Sequence, residues 1–129
     1  MEVNVPVSVG ELLDKLSIVE IKIKNISDSQ KLEYLNKEFI LLKEKAADVK
    51  SINTQKYDEF YTSLLKTNSK LWEIEDDIRE LENLKNFDEA FVSLARSVYI
   101  TNDERFEIKT KINNFFGSSI VEQKELKEY

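Results

Sequence analysis

Apolar residues recur at spacings of three and four along most of the chain. Val9, Leu12, Leu16, Val19, Ile23 and Ile26 form one such line. This helical period predicts a first helix over about Val9–Ile26. Ser8 and Glu11 form an S-x-x-E capping box at its start. Ile18 and Ile21 fall on another face, so this helix is expected to be covered on two sides. Ser27, Asp28 and Ser29 offer caps for a second helix. There Leu32, Leu35, Phe39, Leu42, Ala46 and Val49 alternate strictly by three and four, a coiled-coil-like seam. Ser51–Gln55 reads as a linker. A third helix over about Tyr57–Leu84 carries Phe60, Leu64, Leu71, Ile74, Ile78 and Leu81. Asn86 and Glu89 open a fourth, with Phe87, Phe91, Leu94, Val98, Ile112 and Phe116 as its stripe. Thr101 and Glu104 form a second capping box, so this helix either runs through or breaks near Ile100. Gly117 is placed to end it, and Ser119 and Glu122 to cap a short helix after it. Glu2–Val7 alternates polar and apolar around Pro6, as a short extended arm does. The pattern predicts one all-α domain over 1–129. Its architecture would be an antiparallel helical bundle of four main helices, plus a short C-terminal helix and an extended N-terminal arm.

Two stretches break the rule that a helix turns apolar side chains inward. Asn68, Trp72, Glu75, Arg79 and Glu82 follow the apolar line of Leu64, Leu71 and Ile78. Asn102, Arg105, Lys109 and Asn113 continue the line of Phe91, Leu94 and Val98, provided that the fourth helix is continuous. An unpaired buried ion costs several kcal/mol or more, so such ions are either paired or used. Glu75 and Arg79 are four apart, in the favourable order for an ion pair on a helix. If the fourth helix breaks, Arg105 and Lys109 become ordinary surface cations.

Composition narrows the chemistry. The chain has no His and no Cys. That removes the usual general base, the usual zinc ligands and any Ser–His or Cys–His nucleophile. A metal would have to be a hard ion such as magnesium. The i, i+3 carboxylates Glu11/Asp14 and Glu73/Asp76 have the spacing to hold one, but no cofactor is required. The net charge of −6, with basic and acidic residues interleaved, argues against duplex nucleic acid as a partner. No apolar run is long enough to span a bilayer and no signal peptide opens the chain, so the expected location is cytoplasmic. No glycine-rich phosphate loop is present.

The segments Val7-Ser-Val-Gly-Glu-Leu-Leu-Asp-Lys-Leu-Ser-Ile, Leu71-Trp-Glu-Ile-Glu-Asp-Asp-Ile-Arg and Leu94-Ala-Arg-Ser-Val-Tyr-Ile-Thr-Asn-Asp-Glu-Arg-Phe carry a resemblance. Over its whole length the chain resembles an uncharacterised bacterial and phage family, a domain of unknown function. The resemblance implies no activity, cofactor or site residue. Helical chorismate mutases use Arg, Lys and Glu inside a bundle, but no Arg precedes Arg79 here. Helical nucleotide pyrophosphohydrolases carry E-E-x-x-E and E-x-x-D, of which only Glu73-Ile-Glu-Asp76 has a counterpart.

Two readings follow. In the first, Asn68, Trp72, Arg79, Asn102, Arg105 and Lys109 hold a small carboxylate or phosphate. Glu75 then orients it or, if a reaction occurs, serves as acid/base. In the second, the polar stripe is a buried structural network or part of a homodimer seam, and the chain is an interaction module.

Overall fold

The computed structural model describes residues 1–129 as four helices and no strand: α1 Val9–Asn25, α2 Ser29–Ile52, α3 Thr54–Asn83 and α4 Glu89–Phe116. α1 is covered on more than one side, as its two apolar faces require, and it packs against α2, α3 and α4. The core centres on Leu13 and Leu16 of α1, Ala46 of α2, Tyr57 and Leu64 of α3, and Ile112 of α4. α3 and α4 pair along their lengths, with Phe60 against Phe115 and Phe116 and Lys70 near Glu104 further along. α4 runs unbroken through Ile100–Asp103, which fixes the inward phase of Arg105 and Lys109. No helix is long and apolar enough to cross a membrane.

Several local expectations are corrected. The Ser51–Gln55 linker shrinks to Asn53, which ends α2 and caps α3, its side chain accepting from the Lys56 N–H. One Asx residue in an extended conformation is enough to stop one helix and start the next. Asp88 rather than Asn86 caps α4. The capping box at Ser8 is only half used: Ser8 Oγ accepts from the Glu11 N–H, while the Glu11 carboxylate turns to Lys109. Gly117 does adopt a left-handed conformation, φ 65°, and ends α4. No short helix follows it. Residues 118–129 form an irregular strap over α4, because their polar groups find partners there. Ser118 Oγ donates to the Ile120 carbonyl, Glu122 meets Lys109, Lys124 lies over the Phe106 ring, and the Tyr129 hydroxyl donates to Asp103.

Helix length explains another correction. α3 has 30 residues and α1 has 17, or about 45 Å against about 26 Å at 1.5 Å per residue. The far part of α3 therefore outruns its cover. Arg79 and Glu82 are exposed and Glu75 is partly so, although all three lie on the face that is buried at Leu64 and Asn68.

Candidate functional site

The polar stripes divide into an inner network and an open groove. The network centres on Asp14, which is fully buried. Its carboxylate accepts from Asn68 Nδ2 at 2.9 Å and from Arg105 Nε at 2.9 Å, and Arg105 Nη2 closes a bidentate pair on its second oxygen. Asn68 Nδ2 also donates to Ser17 Oγ at 2.8 Å, and Ser17 in turn donates to the Asp14 carbonyl. Three protein donors thus replace water at the two carboxylate oxygens, as a buried carboxylate requires. The bond to Asp14 pushes the Arg105 pKa up, against burial, which lowers it. The guanidinium carries a full charge in any case.

Lys109 is the second buried cation. Its ammonium lies 2.7 Å from Glu11, 2.8 Å from Glu122 of the strap and 4.0 Å from Asp14. Burial alone would lower its pKa. The bonds from Glu11 and Glu122 outweigh burial, and the net shift is upward. A small polar recess of about 190 Å³ lies here, bounded by Glu11, Lys109, Glu122 and Lys124.

α1 comes this close to α4 because of Gly10. Its N–H donates to Asn113 Oδ1 at 2.7 Å. The Val9 N–H donates to Ser118 Oγ, Glu11 to Ser8 Oγ and Leu12 to the Ser8 carbonyl. Val9, Gly10 and Glu11, three of the amides that a helix start leaves without an intrahelical partner, are thereby satisfied, one by Asn113 of α4 and one by Ser118 just beyond it.

The groove is larger, about 560 Å³. Ile18, Ile21 and Lys22 of α1 form one side of it. α3 supplies Asn68, Leu71, Trp72, Glu75, Asp76 and Arg79, and Asn102 and Arg105 of α4 complete the lining. Six of the seven polar positions proposed from sequence for a site therefore line one concavity. The seventh, Lys109, lies instead in the recess with three carboxylates around it. Glu75 and Arg79 are 3.8 Å apart, and the Arg79 side chain is 79% exposed. Asn102 Oδ1 is 3.5 Å from Arg105 Nη1, the guanidinium nitrogen that Asp14 leaves free.

The sequence reading missed Asp14 as the hub, Ser17 as its neighbour and Lys22 in the groove. The i, i+3 spacing from Glu11 offers Asp14 only as a metal ligand, yet it holds Arg105. Glu11, Asp14 and Glu122 surround the Lys109 ammonium, and no group of acidic side chains is placed to hold a metal ion. A signal was present in Gly10, Asp14 and Ser17, spaced four and three apart. Small or polar residues along one line of a helix let another helix approach closely.

A family model described as a family of unknown function, DUF6165, matches residues 1–128. No curated protein and no solved structure matches the chain.

Proposed function

Since the chain belongs to the DUF6165 family, whose function is unknown, its activity has to be argued from its own residues, and we propose that it binds a small ligand bearing a carboxylate or phosphate in the α1–α3–α4 groove. The observation that carries this reading is the meeting of Asn68, Trp72, Glu75, Arg79, Asn102 and Arg105 on one concavity. Its volume falls within the range of about 300–1,000 Å³ typical of small-molecule sites. Arg79 is the principal anion contact, because its exposed guanidinium is held only by a loose pair with Glu75. Arg105 adds its Nη1 edge, which meets only Asn102 Oδ1 at 3.5 Å, with Asp14 fixing the plane of the guanidinium from behind. Glu75 orients Arg79 and, if a reaction occurs, is the carboxylate in reach of the ligand. Lys109 drops out of the contact set, since its charge is already met by Glu11 and Glu122.

A thermal-shift series with inorganic phosphate, dicarboxylates, nucleoside monophosphates and amino acids tests the reading. Stabilisation that grows with concentration and vanishes in Arg79→Ala supports it. No shift with any of these at millimolar concentration rejects it.

A second reading, that of an interaction module, is favoured by a different observation. The inner network is already satisfied without a ligand, and α2 leaves Tyr34 and Leu41, seven residues apart on one face, exposed. On that reading the chain forms a homodimer through α2, and light scattering would give twice the mass of one chain.

A further inference from the structure

The charges around the groove narrow the ligand class, and this step rests on the proposed binding function. Lys22, Arg79 and Arg105 supply three cations. Glu75 and Asp76 on the lining, with Asp14 directly behind Arg105, supply three carboxylates. The groove is therefore neutral overall. Arg105 is met by Asp14 and Arg79 by Glu75. Two charges remain without an ion-pair partner: the half-buried Lys22 of α1 and Asp76 of α3. They lie on different helices of the same cleft. A phosphate or polyanion that reached Lys22 and Arg79 would also meet Glu75 and Asp76, and like charges at such range oppose binding. A ligand carrying one anion and one cation meets no such conflict.

We infer that the groove takes a zwitterionic ligand of the amino-acid type, a short peptide with free termini and apolar side chains. Its carboxylate pairs with Lys22 and Arg79, and its ammonium with Asp76 and Glu75. Ile18, Ile21, Leu71 and the Trp72 indole form the apolar surface for the side chains. Asn68 and Arg79 are eleven residues apart on α3, about 16 Å of helix, which leaves room for two or three extended residues of about 7–11 Å. A single amino acid would leave most of the 560 Å³ unfilled.

Trp72 is the single tryptophan, so indole fluorescence reports on the groove, and calorimetry detects binding that leaves the indole unperturbed. The probes are leucyl-leucine, its N-acetylated form, its C-terminal amide and inorganic phosphate. The expected result is saturable binding of leucyl-leucine, with at least tenfold weaker binding of each blocked form and of phosphate. Asp76→Asn should erase the preference over the acetylated form, and Lys22→Met the preference over the amide. Both positions are at the surface or half-buried, so circular dichroism should show both variants folded. If phosphate or the acetylated peptide binds as tightly as leucyl-leucine, the zwitterion inference is overturned while the anion-binding function stands. If none of the four binds, the inference is overturned as well, and the broader thermal-shift series decides whether the anion-binding reading falls with it.

Discussion

A methyl group placed on Gly10 would lie 2.6 Å from the carbonyl oxygen of Lys109 and 3.0 Å from Asn113 Oδ1. The first contact is with helix backbone, which cannot move aside as a flexible side chain can. The bond from the Gly10 N–H to Asn113 Oδ1 depends on this approach. Gly10→Ala would gain about 1 kcal/mol of helix propensity, but it has to push the two helices apart. We expect a net loss of about 1–2 kcal/mol, measured by urea denaturation. A variant as stable as the parent would mean that α1 and α4 are less closely packed.

The Asp14–Arg105 pair has unequal partners, since the Asp14 side chain is 1% exposed and that of Arg105 27%. Arg105→Ala strands a carboxylate in the core and should cost about 3–5 kcal/mol. Asp14→Ala should cost less, because the released guanidinium can turn toward water. Asn68 would also keep its bond to Ser17. A double-mutant cycle should return a favourable coupling of at least about 1 kcal/mol. Strict additivity would contradict a direct pair.

Arg79 should behave in the opposite way. Its side chain is largely in solvent and its partner is 3.8 Å away, so Arg79→Ala should change stability by less than about 0.5 kcal/mol. If the groove binds an anion, the same substitution should remove that binding. Equal loss of stability in Arg79→Ala and Arg105→Ala would show that α3 is covered further along than the structure indicates.

Alkaline pH should weaken the fold. Burial, with a contribution from Glu20, raises the Tyr61 pKa above its ordinary 10.0, and Tyr57 is raised mainly by burial. Lys109 also ends above 10.5, burial being outweighed by Glu11 and Glu122. In each case the folded state holds its proton more tightly than the unfolded chain. Stability is therefore fully present below about pH 10 and falls as pH rises through the folded-state values. Denaturation midpoints at pH 8, 10 and 11 should hold over the first step and decrease over the second. Tyrosinate absorbance should show a late-titrating component that Tyr61→Phe reduces and Tyr57 sustains.

Much of the fold was legible because helix periodicity is local. The spacing of Leu12, Leu16 and Val19, or of Phe60 and Leu64, needs no knowledge of a partner. The inward phase of Asn68, Asn102 and Arg105 could be read in the same way. The assignment of Arg79 to a buried line failed because periodicity gives a direction without saying whether anything lies there. α1 is too short to cover the far part of α3. The strap failed for a related reason: Ser119 and Glu122 have capping chemistry, but Ser118 and Glu122 meet stronger partners in the Val9 amide and the Lys109 ammonium.

By itself the sequence determined four helices, their apolar faces and the polar stripes on α3 and α4, because each depends on residues within a few turns. Only the tertiary structure decided which charges are consumed and which remain free. Arg105 reaches Asp14 across 91 residues of chain, and Lys109 reaches Glu11 across 98. A Coulomb partner is set by distance in space, which local spacing does not encode. That pairing separates the structural cations Arg105 and Lys109 from Lys22 and Arg79, the cations left facing the groove.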